Sequence, residues 1–221
     1  MTDRKRNTIS LIINAYIAIS AFVVMVIGVS QGAGEGQLGD MMRGIGYFKA
    51  FTIDSNVLMG IIALMALVFN INNAVSKKNE CPKWMTVTYL TGTAAVALTF
   101  VTVVVFLAPM FEIQGIGFMT MFKDDMFFYH LVNPIMAIVN LIFFLPGDKI
   151  KGKAKLFGLI PTFIYSIVYT VCVAVLKIWS DFYNFTFGGK YALIPLVLLV
   201  MYGVTYGLSC IVCFGRNKRI K

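Results

Sequence analysis

His130, the only histidine in the 221-residue chain, stands in the segment MFFYHLVNPIMAIVN, and Asn133, Ala137 and Asn140 follow it at helical spacings of three, four and three. That pattern puts an imidazole and two amides on one helix face. A second apolar run opens in GYFKAFTIDSNVLMG, where Ser55 and Asn56 follow Thr52 at i+3 and i+4. A threonine hydroxyl is a poor nucleophile until a base takes its proton, and a neutral imidazole within ~2.6–3.2 Å does so. The chemistry such a pair would carry is nucleophilic attack, with Thr52 as nucleophile and His130 as general base, then acid. Ser55, Asn56 or Asn133 would then donate to the oxyanion, a contribution often worth ~2.7–4 kcal/mol. Each residue also has a plainer reading. Thr52 fits a helix N-cap or a local backbone bond, and His130 fits a structural hydrogen bond near a membrane interface. Asp54, two residues past Thr52, points away from it by about 200° on a helix, toward Lys49 or a neighbouring helix.

The elements that must position these residues are membrane helices. The chain is 59% hydrophobic and 13% charged, with mean hydropathy +0.82, against roughly 45–50% apolar and about 25% charged in soluble domains. A crossing helix needs roughly 20 apolar residues, and six such runs leave only short connections. The sequence predicts an all-α integral membrane protein, a six-transmembrane-helix bundle formed by residues 1–221 as a single transmembrane domain. Its helices are expected at about 8–30, 49–74, 84–108, 126–146, 156–178 and 191–214. The first run has a basic start but is too long for a cleaved signal peptide core, so it is expected to remain as a span.

The net charge of +9 is arranged by side of the membrane. Arg4, Lys5 and Arg6 precede the first run; Lys77, Lys78 and Lys83 separate the second and third. Lys149, Lys151, Lys153 and Lys155 separate the fourth and fifth, and Arg216, Lys218, Arg219 and Lys221 follow the sixth. Arg43, Lys49, Lys123 and Lys190 lie in the alternate connections, and Lys177 lies just inside a helix end. Clusters on one side of a six-crossing zigzag make that side cytoplasmic. Both termini are therefore expected in the cytoplasm, and the protein in the cell membrane. The basic balance is topology, so no nucleic-acid partner follows from it. The second and fourth helices then both run inward, which places Thr52 and His130 at similar depth in the outer part of the membrane.

Other features carry less chemistry. No metal site and no cofactor are expected, because one histidine and scattered carboxylates do not assemble zinc ligands. Cys210 and Cys213 form a lone C-x-x-C without partners. Thr88, Thr91, Ala95, Thr99 and Thr102 form a small-residue stripe expected to face other helices. Tyr165/Tyr169 and Tyr202/Tyr206 are i,i+4 pairs expected to pack in the bundle or line a cavity. Prolines inside the helices, Pro134 among them, need neighbours that satisfy the freed carbonyls.

Six short-looped spans, YFKAFTIDSN at the head of the second and FFYHLVNP at the head of the fourth together resemble the androgen-induced protein / androgen-dependent TFPI-regulating protein family. Related bacterial six-span proteins with an FT-x-x-SN segment are similar as well. The resemblance implies an intramembrane hydrolase of fatty acid esters of hydroxy fatty acids, with the family's threonine at Thr52 and its histidine at His130. The shorter loops, the Asn133-Pro134 step and the lack of a second histidine depart from the animal members and bear on the substrate. The expected partner is a lipid or fatty-acyl ester reaching the site from the outer leaflet. The competing class is a non-catalytic membrane protein, a small transporter or a hydrophobic-ligand-binding accessory protein. Oligomeric state does not follow from the sequence.

Overall fold

The computed structural model describes residues 2–31 and 44–220, all helix, turn or irregular chain with no strand among them. Most of the glycine-rich outer connection, Arg43 included, lies outside the described residues. Helix α1 spans Asp3–Gln31, α2 Phe51–Ser76, α3 Lys83–Ile113, α4 Phe128–Phe144, α5 Gly152–Val175 and α6 Tyr191–Arg219. A 3₁₀ turn, Gly44–Lys49, leads into α2. All of these except α4 are long and apolar enough to cross a membrane; α4 is a shorter apolar helix. The chain is thus a multi-pass helical membrane protein. Ile12, Ile19, Val23 and Val26 on α1, and Leu196, Leu199 and Phe214 on α6, are exposed, as lipid-facing positions require.

Helix α3 is the hub. It packs against α2, α4, α5 and α6, while α1 lies against α2 and α4. Every residue from Gly92 to Thr99 is consequently buried. The expected stripe is therefore only part of the contact surface: Ala95 and Thr99 are buried, Thr88, Thr91 and Thr102 half-buried. Close approach needs small residues. A Cβ on Gly158 of α5 would fall 2.7 Å from Ser209 Oγ and 3.0 Å from Ala94 Cβ, so three helices meet on one glycine.

Helix α4 is interrupted twice by π-helical turns, Phe128–Val132 and Asn140–Phe144. Pro134 explains how the first one is completed. In the π register the Asn133 N–H reaches back to the Phe128 carbonyl. The next bond would run from residue 134 to the Tyr129 carbonyl, but proline has no N–H to give. Asn56 of α2 fills that vacancy, donating from Nδ2 to Tyr129 O at 3.2 Å. The expected rescue of a proline-freed carbonyl by a neighbouring helix is therefore met by a side chain from α2.

At the C-terminal end of α6, Arg216, one of the basic residues of the last cluster, turns inward. It is 1% exposed and donates to four main-chain carbonyls, Leu141 at 2.6 Å, Leu145 and Pro146 at 3.1 Å each, and Asp148 at 3.1 Å. A guanidinium has five donors in a fixed fork, which suits the orphan carbonyls at a helix C-terminus. Arg216 is the C-terminal clamp of α4 rather than a surface charge.

Candidate functional site at the N-terminal ends of α2 and α4

Thr52 is the second residue of α2 and is half-buried. The N-cap is Ala50, without a side-chain cap bond, so the capping reading of Thr52 does not hold. The other members of its face are turned into the bundle. Ser55 is 1% exposed; its hydroxyl donates to Thr52 O at 3.1 Å or pairs with Thr99 Oγ1 of α3 at 3.0 Å. Asn56 uses both amide hydrogens, one on Thr52 O at 2.8 Å and one on Tyr129 O at 3.2 Å. Its Oδ1 accepts from Asn133 Nδ2 at 3.2 Å, and Asn133 Oδ1 accepts from Ser20 Oγ of α1 at 2.7 Å. A buried relay thus runs from α1 through α4 to α2, and one amide nitrogen binds both the Thr52 and Tyr129 carbonyls.

His130, next to Tyr129, is 7% exposed. Its Nδ1 lies 2.5 Å from the Met121 carbonyl, and its ring meets Phe122 edge-on at 6.5 Å between centroids. A carbonyl only accepts, so Nδ1 carries the proton and Nε2 carries the lone pair. The connection before α4 therefore orients the imidazole in the tautomer a general base needs. Among the described residues Nε2 has no hydrogen-bond partner, and no hydrogen bond joins it to Thr52. The backbones of the two candidates are tied through Asn56, while their side chains turn to different neighbours.

The neighbour of Thr52 is Tyr183, in the connection between α5 and α6. Its hydroxyl accepts from Phe51 N–H at 3.0 Å and lies against the Thr52 N–H and hydroxyl. Tyr165 donates to Lys49 O at 2.6 Å, fixing the chain just ahead of α2. Tyr165 is stacked on Tyr169 with centroids 5.8 Å apart, within an aromatic cluster that includes Phe51, Phe182 and Phe185. This pair packs, whereas Tyr202 bonds Ser166 Oγ at 2.6 Å and Tyr206 is exposed. Asp54 lies toward Tyr165, on the side of α2 expected, and makes no ion pair with Lys49 among the described residues.

A second polar cluster fills the opposite half of the bundle, near the N-terminal half of α1 and the C-terminal half of α2. Asn7 and Asn70 exchange two bonds of 2.8 Å, Asn7 donating to the Asn70 carbonyl and Asn70 Nδ2 to Asn7 Oδ1. Asn14 donates to Asn70 Oδ1 at 2.7 Å, and Tyr89 donates to Asn14 Oδ1 at 2.8 Å. Asn140 donates to Asn14 Oδ1 at 2.9 Å and to Tyr89 Oη at 2.8 Å. Asn140 therefore leaves the His130 face and belongs to this inner cluster. Sequence reasoning missed the cluster, although Asn7, Ser10 and Asn14 recur at three and four in the first helix. It missed Tyr183 altogether, because nothing local marks a tyrosine that folds back over α2. Two open clefts, about 580 and 680 Å³, also lie at that end, around Lys83 and Asp148.

No protein-family model matches the chain, and neither a curated protein nor a solved structure does. The chemistry of the site is therefore argued from its residues.

Proposed function

We propose that the protein is an intramembrane lipid-ester hydrolase with Thr52 as nucleophile and His130 as base. The observation that supports this is the His130 ring: its Nδ1 is committed to the Met121 carbonyl, which leaves Nε2 as proton acceptor, and the carbonyl of the preceding residue, Tyr129, is tied by Asn56 to the α2 segment that bears Thr52. In the reaction the Thr52 proton passes to Nε2 while Oγ1 bonds the acyl carbon, and Nε2 then gives that proton to the leaving alcohol. Water, deprotonated by the same nitrogen, attacks the acyl carbon, and the proton returns to Thr52 Oγ1 as the acyl–Oγ1 bond breaks and the fatty acid leaves. Of the three proposed oxyanion donors, Asn56 has both hydrogens engaged, and Asn133 retains one amide hydrogen beyond its bond to Asn56. Asn133 is thus the better candidate of the two amides.

The reading includes six crossings of the cell membrane with both termini cytoplasmic. At ~1.5 Å per residue the seventeen residues of α4 reach about 26 Å, close to the ~30 Å hydrocarbon layer, and the basic connections on one side support the orientation. Kinship with the androgen-induced protein family is part of the same proposal and is supported by the FTIDSN and FFYHLVNP segments.

A second reading, a non-catalytic protein that binds a hydrophobic ligand, is favoured by one observation: the Thr52 hydroxyl faces Tyr183 rather than His130. Labelling by a lipid-tailed fluorophosphonate in native membranes separates the two. The hydrolase labels; Thr52→Ala abolishes labelling, and His130→Ala lowers its rate by ~10²–10⁴, the usual worth of a general base. Equal labelling of Thr52→Ala and wild type, or none in wild type, discards the hydrolase.

A further inference from the structure

The connection between α5 and α6 is built as a unit. Asp181 accepts four hydrogen bonds, from Tyr169 Oη at 3.0 Å, Phe185 N at 2.8 Å, Thr186 N at 2.8 Å and Thr186 Oγ1 at 2.6 Å. Tyr183 N donates to Tyr169 Oη at 2.9 Å. Inside, the turn is thus cross-braced. The backbone is left-handed before it at Lys177 (φ 56°), within it at Asn184 (54°) and Phe187 (46°), and near its end at Gly188 (74°) and Gly189 (99°). A Cβ at either glycine would meet nothing within 4 Å. Glycine tolerates this conformation without strain, and the open space leaves room for the unit to swing as a body.

What the unit covers is the head of α2. The first N–H groups of a helix have no carbonyl partner within it, and here the Tyr183 hydroxyl sits on those of Phe51 and Thr52 and beside the Thr52 hydroxyl. Burial pushes the phenol up to about 12, so at neutral pH it stays protonated and remains both donor and acceptor. The nucleophile is thereby held toward a phenol, while His130 Nε2 stands without a partner among the described residues.

We propose that residues 178–190 form a latch: with Tyr183 seated, Thr52 is restrained from His130, and lifting the segment releases the hydroxyl to an ester arriving from the outer leaflet. The latch rests on the hydrolase reading, so its test has one readout that needs no chemistry. Tyr183→Phe removes the hydroxyl and keeps the ring packed; Asp181→Asn loosens the turn without touching Thr52. Deuterium uptake at the Phe51 and Thr52 amides is followed in detergent without ligand, beside the rate of fluorophosphonate labelling. Tyr183→Phe is expected to raise uptake about tenfold, the ordinary worth of one hydrogen bond, and to accelerate labelling severalfold; Asp181→Asn does the same to a lesser extent. Unchanged uptake in Tyr183→Phe overturns the latch while leaving the hydrolase standing. Faster uptake with slower labelling also overturns it, because Tyr183 then positions Thr52 instead of restraining it. Faster uptake with no labelling in any variant keeps the moving segment and removes the hydrolase.

Discussion

The half of this bundle around the heads of α2 and α4, called outer for its proposed side, and the opposite, inner half each bury a set of polar side chains, and they differ in what is left over. In the inner half Asn7, Asn14, Asn70, Tyr89 and Asn140 bond mainly to one another, and four helices are stitched by groups that have few bonding positions to offer a substrate. In the outer half Asn56, Asn133 and Ser20 do the same stitching, yet the cluster also holds an imidazole with an uncommitted nitrogen and a half-buried hydroxyl. Burial of polar groups marks both. Residual bonding capacity is present in both, since Asn140 Oδ1 is buried without a partner in the inner half; the difference is its kind, because an amide oxygen only accepts hydrogen bonds whereas an imidazole nitrogen takes up a proton near neutral pH.

The contrast can be broken most sharply in the inner half. Asn70→Ala leaves Asn7 Oδ1 and an Asn14 N–H without partners, and each orphaned group costs ~1–3 kcal/mol. A loss of roughly 3–5 kcal/mol is expected by thermal unfolding in detergent, with labelling per folded molecule unchanged; lost labelling at full stability would erase the distinction. In the outer half, Asn56→Ala removes the donor at Tyr129 O and is expected to cost about 1–3 kcal/mol. Because Asn56 also ties the Thr52 segment to the His130 segment, labelling per folded molecule should fall with it, and unaltered labelling would show that the tie positions nothing. The smallest effect is that of pH on the latch. Burial alone would raise the Asp181 carboxyl, but its hydrogen bonds from Thr186, Phe185 and Tyr169 outweigh that and hold it below its ordinary 3.8. A carboxyl depressed on folding contributes stability that is complete above its unfolded value and is lost as pH falls through the folded one. Hydrogen exchange across 179–190 should therefore stay slow down to about pH 4 and quicken below it, while Asp181→Asn removes that step.

Hydropathy made the helices legible, with ends displaced where the cause is local. The third helix runs to Ile113 rather than 108, because Pro109 occupies a first-turn position after the π segment Val103–Leu107 and does not stop it. The pairing of the α2 and α4 segments was legible from the polar residues at the heads of two inward-running helices. The identity of their tie was not, since Asn56 serves a carbonyl vacated by Pro134, and that vacancy exists only in the π register. Tyr183 was hidden for another reason: its bond to Phe51 joins residues 132 apart, and helical periodicity speaks only within one element. The burial of Arg216 was not legible, because charge counting assigns a side of the membrane and says nothing about which basic residue then turns inward.

The Arg216 clamp also sets an order of assembly. The carbonyls it satisfies belong to residues 141–148, synthesised between 68 and 75 residues before it. Until α6 arrives, the end of α4 has four acceptors with no arginine to meet them, and only water or lipid headgroups can stand in. The helix that carries His130 thus waits, partly solvated at its C-terminal end, for the last helix to dock. Quality control that recognises unsatisfied backbone in a membrane would find any chain halted before Arg216, even one whose first five helices had already inserted.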